Sequence, residues 1–146
     1  MTVYSIGFTR KTAEQFFGAL RGVGIKRLLD VRLHTASTLA GFTRGDHLPF
    51  LLRELCGAGY EREPMLAPSE ELFRAIKARR IGWPEYETAF LQLMAQRRVE
   101  DRISRAGFRV PTVLLCSEPA ADRCHRRLVL EYLNEKWSQA LEVVHL

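Results

Sequence analysis

The run Thr112-Val113-Leu114-Leu115-Cys116 is apolar almost throughout and of strand length, so a strand built from it has no face suited to water. Such a strand must be covered on both sides. The chain around it alternates short β-prone runs with helical periodicity, which is the pattern of an α/β sheet with a helix layer on each face. Val3-Tyr4-Ser5-Ile6, closed by Gly7, reads as a first strand, and Ala13, Phe16, Phe17 and Leu20 recur at helical spacing behind Thr9 or Thr12 as N-cap. Ile25 to Val31 reads as a second strand, Leu48 to Leu55 as a helix and Tyr60-Glu61-Arg62 as a third strand.

Ser69, followed by Glu70 and Glu71, has the signature of an N-cap opening a helix toward Arg79. Pro84 suits the first turn of a long helix, whose Tyr86, Phe90, Leu93, Met94 and Ile103 predict a stripe running to about residue 105, with Arg98, Arg102 and Arg105 on another face. A last helix carries Leu128, Tyr132 and Leu133, and Leu141 to His145 reads as a terminal strand. The expected fold is α/β, a single three-layer domain over residues 1–146 with a mostly parallel central sheet flanked by helices.

Composition narrows the class. Apolar runs of a few residues fall far below the roughly 20 needed to span a bilayer, and Arg10, Lys11 and Glu14 interrupt any leader-like stretch. Cys56, Cys116 and Cys124 are too few and oddly numbered for a disulfide framework. A cytoplasmic protein with no membrane partner is expected. The net charge of +5 suits a phosphorylated small molecule or nucleic acid. Arginine supplies 18 of the 22 basic residues, which favours bidentate anion contacts and equally fits a genome-wide bias.

Ligands of such sheets bind beyond the carboxyl ends of the strands. Those ends carry Gly7-Phe8-Thr9, Asp30-Val31-Arg32, Cys116-Ser117-Glu118 and His145. Asp30 and Arg32, two apart on a strand, emerge on one side; either Arg32 grips an anion that Asp30 orients or deprotonates, or the two neutralise each other. Cys124-His125-Arg126 opens the last helix. There Arg126 and free backbone amides offer an anion site, with Glu118 as acid or base and His125 as a titratable neighbour. An internal Glu118–Arg126 salt bridge is the competing reading.

Cys124 as a nucleophile has support from the helix end and its basic neighbours, yet buried cysteine is also an ordinary core residue. A Cys-x5-Arg phosphate loop is excluded, since six residues separate Cys116 from Arg123 and Asp122 stands where the arginine is needed. Zinc on Cys116, Cys124 and His125 with Glu118 is disfavoured, because adjacent helical residues point about 100° apart and no Cys-x2-Cys pair is present. No metal and no cofactor are expected. His34, Ser37, Thr43, Arg44 and His47 are lid candidates on a long loop. Trp83-Pro84-Glu85-Tyr86 offers base stacking or a half-wet core edge, and Lys77-Arg79-Arg80 with Arg97-Arg98 form either solvated faces or a nucleic-acid track.

Taken together, Tyr4-Ser5-Ile6-Gly7, Asp30-Val31-Arg32 with Ser37, Trp83-Pro84-Glu85-Tyr86, Cys116-x-Glu118-x5-Cys124-His125-Arg126 and the closing Val144-His145-Leu146 resemble the family known as domain of unknown function 488. The resemblance spans nearly the whole chain. Phe8 stands where that family often has histidine, and Thr35 where it often has proline. The resemblance implies an α/β fold and a shared pocket, and no reaction. The residues then suggest an enzyme acting on a phosphorylated substrate, a nucleotide or nucleic-acid end. Arg32 and Arg126 would bind the anion, Asp30 or Glu118 would be the acid or base, His125 would carry or orient a proton, and Cys116 and Cys124 would be pocket walls. The alternative is a non-catalytic nucleic-acid or protein binding module.

Overall fold

A computed structural model describes every residue of the chain except Ser37, Thr38, Leu39, Pro119, Ala120 and Asp122. The expectations placed on Ser37 and Asp122 therefore lie outside the described residues. The described elements run β1 (Thr2–Gly7), α1 (Ala13–Gly22), β2 (Arg27–Asp30), α2 (Leu48–Cys56), β3 (Gly59–Arg62), α3 (Glu70–Lys77), α4 (Trp83–Arg97), α5 (Val99–Arg102), β4 (Thr112–Cys116), α6 (His125–Lys136) and β5 (Glu142–His145). The sheet order is β3-β2-β4-β1-β5, and all four neighbouring pairs are parallel. The expected α/β domain with a parallel sheet between helices is what forms.

β4 is buried at every position, as its unbroken apolar run requires. Successive side chains alternate between two cores. Val113 and Leu115 join Ile6, Leu28 and the apolar faces of α1 and α2. Leu114 and Cys116 join Val3, Leu29 and residues of α3, α4, α5 and α6. α1 and α2 thus cover one face of the sheet, and α3 to α6 the other.

Local chemistry sets the ends of several elements. Thr12, not Thr9, caps α1 in a reciprocal box with Gln15. Gly57 closes α2 in the left-handed conformation at φ 61°. Ser69 caps α3 through the Leu72 amide. The long helix expected to reach residue 105 stops at Arg97, because Arg98 turns left-handed at φ 51°, and α5 follows as a separate turn. Of the expected stripe Tyr86, Phe90, Met94 and Ile103 are buried and Leu93 is partly buried, although Ile103 lies beyond the helix that was expected to carry it. Arg98, Arg102 and Arg105 do not share one helix face. No described helix is long and apolar enough to cross a membrane.

Candidate functional site at the carboxyl ends of the central strands

β1 and β4 are neighbours, yet the helices that follow them pack on opposite faces, α1 on one and α6 on the other. In sheets wound on both faces such a divergence is where ligands bind, beyond the strand ends. The backbone there is tightly packed. A Cβ at Gly7 would lie 1.6 Å from the Glu118 carbonyl oxygen, so only glycine lets the chain after β4 cross here. Thr9 anchors the same crossing through its amide, 3.1 Å from the Ser117 carbonyl.

α6 begins at this corner and ties three strands together. His125 Nε2 lies 2.7 Å from the Val31 carbonyl beyond β2. Arg126 is fully buried. Its Nε donates to Ser5 Oγ on β1 at 3.1 Å, and its Nη1 donates to Cys116 Sγ at 3.3 Å and to the Glu118 carbonyl at 2.6 Å. Ser5 in turn contacts His145 Nδ1 on β5. Arg126 thus meets Glu118 at its backbone carbonyl. The Glu118 carboxylate is half exposed and stands 3.9 Å from Lys77 Nζ.

Asp30 and Arg32 form a closed unit beside this corner. Asp30 has no exposed surface and Arg32 retains 3%. Arg32 Nε and Nη2 donate to the two Asp30 oxygens at 2.8 and 2.7 Å, a bidentate ion pair. Tyr60 donates to Asp30 Oδ2 at 2.6 Å, and Arg32 Nη2 donates to the Thr43 carbonyl at 2.7 Å. The guanidinium also lies over the Phe8 ring, 5.5 Å from its centroid, so phenylalanine at this position has a packing role. The pair sits in the interior, away from the solvent boundary.

Burial dominates the electrostatics. It pushes the His125 imidazole down to about 4, with Arg126 adding to the effect and the Val31 carbonyl and Asp30 opposing it. The ring is neutral at pH 7 although it keeps some contact with solvent. Burial, then Arg126, lowers Lys11, and the same two causes lead in lowering His145. Burial and the Asp30 hydrogen bond raise Tyr60.

The two cysteines meet. Cys116 and Cys124 are joined as a disulfide, with Cα atoms 7.6 Å apart, and both are buried. Their sulfurs and a ring nitrogen of His125 all lie within 4.8 Å of one another. Cys124 and His125 would diverge if both were helical. Cys124 is instead the extended N-cap at φ −138° and ψ 140°, which lets the two side chains converge.

Except for Thr43, the other candidates lie apart. His34 pairs with Glu70 and His47 with Asp46 on the surface. Thr43 is buried and accepts Arg32 through Oγ1 at 3.4 Å. Trp83 stacks on Tyr86, which stacks on Phe90, placing this motif in and beside the core. Arg97 donates to the Met65 and Ala67 carbonyls and Arg98 pairs with Asp101. A groove of about 440 Å³ between α3 and α4 lies away from the strand ends. Sequence reasoning passed over Ser5, Lys11 and Tyr60. A serine between Tyr4 and Ile6 in a β-prone run was the signal for Ser5, since a buried hydroxyl needs a partner.

A parallel sheet wound on both faces, with Cys116, Cys124, His125 and Arg126 gathered where β1 and β4 part, defines a doubly wound α/β protein with a disulfide, imidazole and guanidinium corner. The model of the domain of unknown function DUF488 matches residues 12–133, and the chain belongs to that family. No curated protein and no solved structure matches it.

Proposed function

We propose that the chain is a small cytoplasmic enzyme acting on a phosphorylated substrate, a nucleotide or a nucleic-acid end, at the carboxyl ends of β1, β2 and β4. The observation that supports this reading is the gathering of basic groups beyond the ends of β1 and β4: partly buried Lys11 is lowered first by burial and then by the charge of Arg126, and Arg126 is tied to both strands. An anion between such groups relieves their repulsion. The N-terminus of α6 adds partial positive charge at the same place.

In this reading Lys11 contacts the phosphate, and buried Arg126 adds positive charge from behind while holding β1 and β4 together. Glu118, with its half-exposed carboxylate, is the acid or base. His125 positions the start of α6 through the Val31 carbonyl. Asp30 and Arg32 support the corner from beneath, because each spends its polar atoms on the other, Tyr60 and Thr43. Cys116 and Cys124 wall the site.

The test is a thermal-shift comparison of wild type and Lys11→Ala with nucleotides, sugar phosphates and short oligonucleotides. A ligand at 100 times its Kd adds about 2.7 kcal/mol, roughly 5–10 °C for a chain of this size. The reading expects a shift with a nucleotide or sugar phosphate that shrinks in Lys11→Ala. Shifts confined to oligonucleotides, steeply salt-dependent and sensitive to the Arg79 and Arg80 side chains, would establish the binding module instead. Silence with every phosphorylated ligand would overturn the reading.

A further inference from the structure

We propose that the reduced chain binds one zinc ion through Cys116, Cys124 and His125, and that oxidation of the two thiols to the disulfide expels it. The inference goes beyond the phosphorylated-substrate reading and does not depend on it. Three donor atoms within 4.8 Å of one another can converge on one ion once the S–S bond is reduced and the sulfurs part to the roughly 3.5–3.8 Å that separates neighbouring ligands of tetrahedral zinc. They are carried on firm supports: the last residue of β4, the N-cap of α6 and its first helical residue.

The surroundings match those of a metal site. His125 Nε2–H is directed to the Val31 carbonyl at 2.7 Å, which leaves the Nδ1 lone pair for an ion. A backbone carbonyl fixing the second ring nitrogen is the usual support of a histidine ligand. Arg126 Nη1 lies 3.3 Å from Cys116 Sγ, positioned to donate to a thiolate. Two thiolates, a neutral imidazole and a divalent cation sum to zero charge, so the complex suits a buried corner as the disulfide does.

Backbone spacing points the same way. The Cα atoms of Cys116 and Cys124 are 7.6 Å apart, beyond the span of about 4.4–6.8 Å usual for disulfides. An ion between the sulfurs separates them and accommodates the wider spacing. Among the described residues the cluster has three ligands, the number that leaves zinc a coordination position for water or substrate.

The two states exclude each other, because both use the same sulfur electron pairs. With hydrogen peroxide as oxidant, two thiolates give up two electrons and form the S–S bond. The peroxide O–O bond takes those electrons and two protons to become two water molecules, and zinc departs as the aqua ion. A dithiol reductant reverses the electron transfer and reopens the site. Such a pair fits a reducing compartment, where disulfides are mostly transient, catalytic or sensing.

Anaerobic titration of the phosphine-reduced full chain with cobalt(II), a spectroscopic stand-in for zinc, tests this. The expected result is thiolate-to-cobalt charge transfer and tetrahedral d–d absorption saturating at one equivalent, displaced by zinc and abolished by peroxide. Cys56→Ser should retain the spectrum, His125→Gln should weaken binding by about 100-fold or more, above the loss typical of an outer partner, and Cys124→Ser should lose it. Absence of the bands in reduced wild type with all three thiols titratable would overturn the proposal, as would bands that survive Cys116→Ser combined with Cys124→Ser. Should the variants not fold, alkylation of wild type decides: zinc must protect Cys116 and Cys124 and leave Cys56 reactive, and equal labelling with and without zinc refutes the site. The phosphorylated-ligand shifts, measured on the disulfide form, succeed or fail separately.

Discussion

Replacing Arg32 by methionine should cost the fold about 3–5 kcal/mol, a loss that separates a buried brace from a solvent-facing anion grip. The substitution removes the donors at 2.8 and 2.7 Å from the two Asp30 oxygens. It leaves a carboxylate with no exposed surface held by the Tyr60 hydroxyl at 2.6 Å and the residue 32 amide at 3.2 Å. Two charge-assisted hydrogen bonds at roughly 1.5–3 kcal/mol each agree with the 3–5 kcal/mol typical of breaking a buried ion pair from one side. With a urea m-value of about 2 kcal/mol/M, the unfolding midpoint should fall by about 2 M. Asp30→Asn should cost a comparable amount, and combining the two should cost less than their sum, with a coupling of about 1 kcal/mol or more. Urea unfolding of the four species by circular dichroism measures this. A loss below about 1 kcal/mol in Arg32→Met at unchanged m-value would refute the brace. Arg32→Lys that keeps stability and abolishes a phosphorylated-ligand shift would return Arg32 to the substrate.

Three further outcomes are expected. Gly7→Ala forces a Cβ into the space of the Glu118 carbonyl, 1.6 Å away, so it should destabilise by about 3 kcal/mol or more and disturb the Arg126 contact to that carbonyl; a neutral effect on the melting temperature would contradict the tight crossing. Tyr60→Phe should remove a pH dependence: the folded phenol is raised above its usual value, so its contribution is full below the unfolded pKa of about 10 and is lost as pH rises through the folded value. Melting curves of wild type and variant between pH 8 and 11 should therefore converge toward the alkaline end. Arg97→Met should cost about 1.5–3 kcal/mol through its two carbonyl contacts without changing oligonucleotide affinity at fixed salt; weakened binding at unchanged stability would restore it to a nucleic-acid track.

The layers were legible because period and burial are written in the residues themselves. An apolar β4 has only one place to go, and Phe16, Phe17 and Leu20 at helical spacing have only one face to bury. The end of α4 was not legible. Val99 and Ile103 continue the apolar spacing, and the break at Arg98 comes from a left-handed turn that a non-glycine residue gives little warning of. The short third strand was found on Tyr60-Glu61-Arg62 alone, and its pairing with β2 explains why Tyr60 faces Asp30.

Which residues could meet was readable at the strand ends; what each would do on meeting was not. Asp30 and Arg32 were placed together from strand periodicity, but their depth depends on Thr43 and Phe8 arriving from distant loops, and no local pattern encodes that. Glu118 and Arg126 were also rightly brought together, yet the contact runs through a carbonyl because Gly7 admits the chain so closely. The metal reading turned on one backbone angle. Sequence places Cys124 and His125 side by side and, if both are helical, apart; the extended N-cap conformation of Cys124 reverses that inference. A cysteine at an N-cap lacks the oxygen that a good cap supplies, and no side-chain cap bond forms there. The residue at this position is therefore poorly explained by helix capping and better explained by the partners of its sulfur, Cys116 and His125.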